Sequence, residues 1–520
     1  MKFDFFQLSS IPKLAWACRL SRAIDVVKVY CGPWVEIGES DFIEGAWNLP
    51  FTEKEFDKTA VFFGSGGKAL TDKVVLATPT HTLERLFGIR QEQSLYISNS
   101  LSFVLSLSEN ELDLSYMDYQ ADYDSITLGL EKSVKLSPLK NGKQLMFFCY
   151  CNIEVDKELN LTAIPKSSVH DFSDFNDYKG FLLNTIQQVK DNAVSKDRYR
   201  QYSLLATASR GYDSSCIAAL AYEAGCRDVL TLKNARPKDQ LFGKYKYNRQ
   251  NSEDGAQKLA EIIGYKNVIL RDRWNYFDLD AGNLIAESAA SGNLYYDPTI
   301  NCEDDLRQRV MLTGHFGDVV WTRSKAKVST DFKTGGLSGA SLYETRLRAG
   351  FIHVPLAYAG ATSMPSINKI TFSSEMSPYT LNNGYDRPIP RRILEEKGVP
   401  RELFGQTKKA TGVILIGSKS NILSKMPEKS AQSFLKFYKE HKNCRSIFRK
   451  LYYCFMTGLY FILGRRVFCK FLWKIRMTKQ ARVLQPYLQH KFFKYIRGTQ
   501  VASFLLPWGV SIVRRRYHEV

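Results

Sequence analysis

The chain has 520 residues, of which 44% are hydrophobic and 24% charged, a composition that indicates folded domains and excludes a disordered chain. This length predicts two or three domains. The formal net charge is +19, but residues 441–520 carry 17 basic residues and one acidic residue, Glu519. That segment accounts for +16 and leaves +3 for residues 1–440, so the sequence indicates an almost neutral body with a basic tail.

The ten cysteines include no CxxC pair, which argues against a disulfide framework. We expect buried, reduced thiols in a cytoplasmic protein. Residues 1–20 contain Asp4 and no continuous apolar core, so they do not resemble a secretory signal. Most of the cysteines lie in apolar stretches, as do Cys18, Cys149, Cys151, Cys216 and Cys454.

The first 165 residues predict a strand-rich domain. Short apolar runs alternate with Gly, Pro and Asn, as at 61–63, 74–76, 95–97 and 145–148. After residue 171 the period becomes helical, and one predicted helix carries an apolar face. That face is formed by Tyr178, Phe181, Leu182, Ile186 and Val189.

Residues 166–440 predict a second domain in which strands and helices alternate. The predicted order is strand 202–208, loop 209–215, a helix from Cys216, strand 228–232, helix 252–263 and strand 267–270. This alternation is typical of a doubly wound parallel sheet in an α/β fold. Ligands of such sheets bind at the carboxyl ends of the strands.

The loop 209–215, SRGYDSS, is the segment with the clearest chemistry. Gly211 permits close backbone approach, and serine hydroxyls lie beside the amide groups at a helix start, an arrangement that binds anions. Asp213 would repel a bare phosphate but suits a magnesium ion that is already bound to one. On spacing alone, a strand-to-helix turn with a serine cap is an equal alternative.

Residues 205–215 resemble the pyrophosphate-binding loop of the asparagine synthetase family, part of the ATP pyrophosphatase superfamily, which reads S-G-G-x-D-S-S after a strand. Arg210 replaces the first glycine of that pattern, and the loop is not a Walker A motif. The resemblance implies binding of ATP and Mg²⁺. It assigns nucleotide binding to Ser209, Arg210, Gly211, Asp213, Ser214, Ser215, Leu232 and Gly314.

Three further segments resemble the same family in the same order: 251–254 (NSED), 309–318 (RVMLTGHFGD) and 404–413 (FGQTKKATGV). The resemblance implies that Asp213 and Asp318 hold magnesium. It also implies that Lys408, or Lys409 in the competing register, faces an acyl-adenylate and stabilises developing negative charge. A solvated basic pair is the alternative for these lysines. Just upstream, 385–392 (YDRPIPRR) predicts a rigid basic loop near the acceptor site.

Residues 83–107 and 128–155 are similar to the strands and closing hairpin of the family's glutaminase domain, which implies an α+β, Ntn-hydrolase-like fold for 1–165. Such glutaminases need a cysteine directly after the initiator Met. Lys2 stands there, and the nearest cysteines are Cys18 and Cys31. We therefore expect a degenerate domain without glutaminase activity, as in the β-lactam synthetases and lasso-peptide cyclases. The nitrogen donor would then be ammonia or an amine, for instance from a separate protein.

Two departures from the family pattern affect the expected site. His315 stands where the family has an acid; a neutral imidazole can accept a proton from the incoming nitrogen, or the residue has no chemical role. Arg210 either clamps the pyrophosphate or fills its space. We expect Lys408, His315 and Asp318 to be the catalytic residues.

The tail 441–520 predicts basic amphipathic helices. Residues 451–463 are an uncharged run of thirteen, shorter than the ~20 residues of a spanning helix. Beyond it, apolar residues share one helical face between basic ones. Association with an anionic membrane surface and packing onto the body stay open as alternatives, and no nucleic-acid-binding motif is present. The apolar face comprises Val467, Phe468, Phe471, Leu472 and Ile475.

Together these features predict an ATP-dependent ligase that adenylates a small-molecule or peptide carboxylate and then forms an amide. A specialised amidotransferase or macrolactam cyclase in envelope polysaccharide or peptide biosynthesis is the alternative within this class. A non-catalytic ATP-binding or scaffold protein is the alternative outside it.

Overall fold

The computed structural model describes residues 1–237, 253–272, 284–324, 328–460 and 501–519. The fold is mixed α/β with several sheets, one of which is a parallel sheet of five strands. Among the described cysteines none forms a disulfide, and Cys18, Cys151 and Cys216 are buried as expected. The prediction that Cys454 is buried is wrong, because its helix turns this residue outward.

Residues 1–165 form two sheets that pack face to face. One core contains Trp16, Val27 and Val29 from the first sheet together with Phe42 and Leu76 from the second. All neighbouring strands are antiparallel except the first and second of the first sheet. The first sheet has the order Lys2–Gln7, Val26–Cys31, Trp16–Ser21, Ser94–Ser98, Leu86–Gln91, Gln144–Phe148, Leu136–Pro138. The second has the order Leu161–Pro165, Cys151–Asp156, Lys73–Ala77, Phe62–Ala69, Asp41–Trp47, Glu36–Ile37.

The parallel sheet lies between residues 203 and 355. Its strands come in the spatial order Asn267–Arg271, Asp228–Leu232, Ser203–Ala208, Arg309–Thr313, Ile352–Pro355, and every neighbouring pair is parallel. The chain therefore builds outward in one direction from the strand at 203–208 and then in the other. The three predicted strands of this region are confirmed.

Helices surround this sheet. The predicted helix with the Tyr178 face is confirmed: it begins at Phe175, where the Asp174 carboxylate accepts a hydrogen bond from the Asp177 amide at 3.0 Å, a helix-capping contact. The helix expected from Cys216 begins four residues earlier, at Tyr212. Among the described residues of 1–440, the helices are Leu101–Leu107, Tyr119–Asp124, Phe175–Ala193, Tyr212–Glu223, Gln257–Ile263, Leu284–Ala290, Glu303–Leu306, Gly317–Val320, Tyr343–Ala349, Met364–Thr371, Pro388–Glu396, Lys419–Leu423 and, ending at 441, Glu428–His441.

Two short antiparallel pairs fasten the late loop to the sheet region. Lys409–Ala410 pairs with Arg236–Pro237, and Val413–Ile414 pairs with Tyr295–Tyr296. These pairs bring the lysine-containing segment near residue 408 to the carboxyl edge of the parallel sheet. This fixes the position of Lys408 relative to strands that precede it by a hundred residues or more.

A buried ion cluster connects the strand-rich region with the region of the parallel sheet. Arg346, 1% exposed, donates to Glu44 at 2.6 and 3.1 Å and to Glu84 at 2.9 Å. Glu44 and Glu84 belong to the strand-rich region, and Arg346 follows the strands at 203–313. Because a buried charge is costly unless it is paired and hydrogen-bonded, this cluster fixes the two regions in one arrangement.

The end of the chain packs onto the body. Helix Leu505–Val513 crosses helix Leu284–Ala290 so closely that a Cβ on Gly509 would lie 2.5 Å from the Ala286 carbonyl oxygen. Tyr517 stacks on Phe103 with ring centroids 4.4 Å apart. The predicted amphipathic face at 467–475 lies outside the described residues. In the part of the tail that is described, the remaining helix is Ile447–Tyr460. Over the described ranges, every helix is too short or too polar to traverse a bilayer.

Candidate functional site

The strand order reverses between Ser203–Ala208 and Arg309–Thr313, and a cavity of about 530 Å³ opens at their carboxyl ends. In parallel sheets of this kind, ligands bind at that reversal point. Most of the predicted site residues meet in the cavity wall although they come from distant parts of the sequence. They are Ser209, Gly211, Asp213, Ser214, Leu232, Gly314, His315, Asp318 and Lys408.

The loop after Ser203–Ala208 is held by its own hydroxyls. The Ser209 and Ser214 Oγ atoms are 2.7 Å apart, and the Gly211 amide donates to Ser209 Oγ at 3.0 Å. Gly211 is the residue before the helix, and no side chain caps the first turn there. The first amide groups of a helix have no partner within the helix, so this start is suited to an anion.

Gly314 allows the second loop to approach the first. A Cβ at Gly314 would lie 2.5 Å from the carbonyl carbon of Asp213 and 2.5 Å from the amide nitrogen of Ser214. No larger residue fits there without displacing backbone. The two loops at the reversal point are therefore packed backbone against backbone, and this contact sets the distance between their functional side chains.

Asp213 and Asp318 lie in the first turns of the helices that follow these two loops, and they influence each other. The Oδ1 atom of Asp213 is buried and accepts no hydrogen bond from the described residues. Burial, reinforced by the Asp318 carboxylate, raises the pKa of Asp213 to about 7. Such a paired site holds excess negative charge that a cation would relieve. Arg387 and Lys408 oppose the shift in part.

Lys408 is the lysine that reaches this carboxylate pair. Its Nζ lies 3.1 Å from Asp318 Oδ2, and both side chains are nearly half exposed. An ion pair with that exposure contributes only about 0–1 kcal/mol, so Lys408 can turn to a ligand at little cost. Lys409 instead donates to the Glu253 carbonyl and lies 3.7 Å from Asp254. Both lysines line the cavity, and Lys408 is the one that contacts Asp318.

Arg210 and Ser215 are the predicted site residues that do not line the cavity. Arg210 turns toward the acidic segment, where its guanidinium contacts Glu253 Oε1 at 3.2 Å and the Gly255 carbonyl at 3.2 Å. The hydroxyl of Ser215 donates to the Ser209 carbonyl and fixes the loop from behind. In this structure the Arg210 guanidinium is therefore bonded to the acidic segment.

His315 lies in the cavity next to a second carboxylate. Its Nε2 is 3.9 Å from Asp297 Oδ2, longer than a hydrogen bond, and Asp297 Oδ1 is occupied by the Thr299 amide and hydroxyl. Burial lowers the pKa of His315, while Asp297 and then Asp318 act in the opposite direction. The imidazole is therefore neutral at pH 7 and able to accept a proton.

Sequence reasoning missed three site residues. Asp254 lines the cavity, and its carboxylate accepts from the Arg210 amide at 3.3 Å; burial raises its pKa to about 6. Arg387 donates to the Asp318 carbonyl at 3.0 Å. Asp254 lies in a segment that resembles the family, and Arg387 lies in the predicted basic loop 385–392, so these two segments were the available signal. Asp297 lies in no recognisable motif.

The strand-rich region, residues 1–165, contains no activated thiol. Burial raises the pKa of Cys18, Cys31 and Cys151 to about 12 and also raises that of Cys149. Only a thiolate is an effective nucleophile, and at neutral pH these four cysteines are protonated.

The described residues contain no group of three or more His, Cys, Asp or Glu side chains able to hold a metal ion. Two carboxylates nevertheless fit Mg²⁺, which commonly takes one or two carboxylates and completes its shell with phosphate oxygens and water. In comparisons with known proteins, neither a protein-family model nor a curated protein matches this chain.

Proposed function

We propose that this chain is an ATP-dependent carbon–nitrogen ligase of the asparagine-synthetase-like type. It adenylates a carboxylate, releases pyrophosphate and forms an amide with ammonia or an amine. The observation that carries the proposal is the meeting of Asp213, Asp318 and Lys408 beside a helix start, in one cavity at the reversal point of a parallel sheet.

In the first step, a carboxylate oxygen of the substrate attacks the α-phosphorus of ATP, and the bond to the bridging oxygen breaks. The helix start at Gly211 and the hydroxyls of Ser209 and Ser214 bind the pyrophosphate that leaves. Lys408 stabilises the negative charge that develops, an electrostatic contribution of ~3 kcal/mol per donor. Leu232, buried at the cavity wall, gives the adenine base an apolar contact.

Asp213 and Asp318 would hold Mg²⁺, which when bound neutralises phosphate charge. The buried Oδ1 atom of Asp213, without a hydrogen-bond partner among the described residues, supports this assignment. Arg387, through the Asp318 carbonyl, keeps the second loop in place.

In the second step, the nitrogen nucleophile attacks the carbonyl carbon, loses a proton, and AMP leaves with the electron pair of the broken C–O bond. His315 is the proton acceptor in our proposal, because its imidazole is neutral and lies in the same cavity. We assign no glutamine hydrolysis to residues 1–165, and the protonated thiols of that region support this.

The finer architecture belongs to the same proposal. We assign an Ntn-hydrolase-like fold to residues 1–165, a doubly wound ATP pyrophosphatase domain to 166–440 and a basic helical segment to 441–520. The facing sheets of the first region and the strand order of the second support these assignments.

A second candidate is a non-catalytic relative, and one contact favours it. The Asp254 carboxylate accepts from the Arg210 amide, so an anionic side chain already occupies part of the loop where a phosphate would bind. In a working enzyme this carboxylate must give way to the nucleotide.

Exchange of labelled pyrophosphate into ATP tests the proposal. Across a panel of amino, sugar and peptide acids, we expect exchange with at least one class. With that acid, Lys408→Met should lose roughly 10²–10³-fold in rate, as when one charge-stabilising donor is removed. Lys409→Met is the matched control and should lose less than about tenfold, since its contacts are with Glu253 and Asp254. No exchange with any acid, together with no ATP binding, would favour the non-catalytic candidate.

A further inference from the structure

Helix Ile447–Tyr460 presents an apolar face to solvent. We name it the 447–455 face; its large side chains are 52–80% exposed. Their spacing of one, four, five and eight residues places them on one side of a helix. A contiguous exposed apolar surface of this kind marks a site of interaction. The face consists of Ile447, Phe448, Leu451, Tyr452 and Phe455.

The opposite side of this helix is fastened to the body. Tyr453 is 4% exposed, and its hydroxyl donates to the Asp118 carboxylate. Directly before the helix, Arg445 lies over the Phe504 ring at 3.5 Å and donates to the Ser503 hydroxyl at 2.5 Å. The helix is therefore anchored by one side, and this anchoring directs the 447–455 face outward.

The charge around the face determines what it can bind. From 441 to 518 the sequence has 17 basic residues and no acidic one, and Lys442, Arg449 and Lys450 are close to the face in the sequence. A second copy docking through the same face would bring two strongly positive segments together. An anionic surface is attracted instead, and its apolar layer accommodates the aromatic and aliphatic side chains.

We propose that the 447–455 face docks on an anionic membrane surface, with the helix lying in the plane of the interface. Phe448, Leu451 and Phe455 enter the boundary of the acyl chains. Basic residues of the segment contact lipid phosphates. Arg445 and Arg516 are not among them, because they are bonded to Ser503 and Glu287. This inference is independent of the ligase proposal, because it concerns a surface formed by other residues.

Flotation of the full-length protein with lipid vesicles tests the inference. We expect flotation with mixed phosphatidylcholine–phosphatidylglycerol vesicles, much less with pure phosphatidylcholine, and weakening by salt. Phe448→Ser with Phe455→Ser should lower the partition coefficient at least about tenfold. The control, Ile24→Ser with Leu136→Ser, changes two apolar residues that are about half exposed in the strand-rich region and should bind like wild type. Absent flotation of the wild type, or equal flotation of both double variants, would overturn the inference.

Two further measurements on the Phe448/Phe455 variant exclude other occupants of the face. Light scattering should give the same mass for variant and wild type. A dimer that dissociates in the variant would assign the face to a second copy and overturn the proposal. The melting temperature should also be unchanged, because both side chains are exposed. A clear drop would mean that the chain covers the face with its own residues, which would equally overturn it.

Discussion

Removal of Arg346 should destabilise the body strongly. In Arg346→Met, the carboxylates of Glu44 and Glu84 lose the hydrogen bonds of 2.6–3.1 Å that compensate their burial. Both carboxylates are at most 4% exposed, so water cannot replace the guanidinium. Breaking a buried ion pair by removal of one partner costs about 3–5 kcal/mol, and we expect a loss of that size in the free energy of unfolding near pH 8.

The destabilisation caused by Arg346→Met should be larger at high pH than at low pH. Burial is the main reason that the pKa of Glu84 rises to about 7, and the Arg346 charge lowers this pKa in part. The folded protein therefore keeps a proton that the unfolded chain releases above the ordinary glutamate pKa of 4.5. Stability from this group is complete below that value and is lost as the pH rises through 7. Without Arg346 the pKa of Glu84 rises further, so Arg346→Met should cost less near pH 5.5, where Glu84 is protonated.

Urea unfolding at the two pH values measures both effects. The control is Arg22→Met, which removes the Arg22–Glu158 ion pair, in which both side chains are more than half exposed. That change should cost about 0–1 kcal/mol at either pH. If Arg346→Met lowers the free energy of unfolding by less than about 1 kcal/mol near pH 8, or equally at both pH values, Arg346 does not compensate the buried carboxylates as described.

Three other predictions test individual groups. Iodoacetamide at pH 8 should alkylate the exposed Cys444 and Cys454 but not Cys18 or Cys31, whose pKa values burial raises to about 12; peptide mass spectrometry reads this out, and early labelling of Cys31 would contradict it. Arg210→Gly should change the exchange rate less than about fivefold, because Arg210 contacts the exposed Glu253; a hundredfold loss would place the guanidinium on pyrophosphate. Asp297→Asn removes a charge that raises the pKa of His315, so the rise of amide formation with pH should move to lower pH; an unchanged profile would remove His315 as the proton acceptor.

The sequence predicted the reversal-point loops well because their signals are local. A buried strand, small residues and a helix follow each other within one short segment, and at Gly314 a Cβ would lie 2.5 Å from the backbone of the first loop. The helix start was predicted four residues too late, since the bonds of Ser209 to Ser214 and Gly211 that form the turn are not visible in hydrophobic periodicity.

Other features depend on contacts between distant residues and could not be predicted. Asp297 reaches His315 from a loop outside every motif. In the folded chain Arg210 contacts Glu253, and Lys408 rather than Lys409 contacts Asp318. The course of the folded backbone determines these contacts. The apolar sequence at 505–513 is compatible with contact to a membrane and with contact to a protein core. In this protein the helix packs on the body.

In our proposal, ATP binds where the helix start at Gly211 meets the loop that contains Gly314. Calorimetric titration with Mg²⁺ and an ATP analogue that carries a methylene bridge between its α- and β-phosphates tests it without knowledge of the acid. We expect one ATP site per chain in the wild type. We expect binding to be weakened about a hundredfold or more in Gly314→Ala, because the new methyl group would lie 2.5 Å from the backbone of Asp213 and Ser214. No binding by the folded wild type, or equal binding by the two proteins, would contradict it.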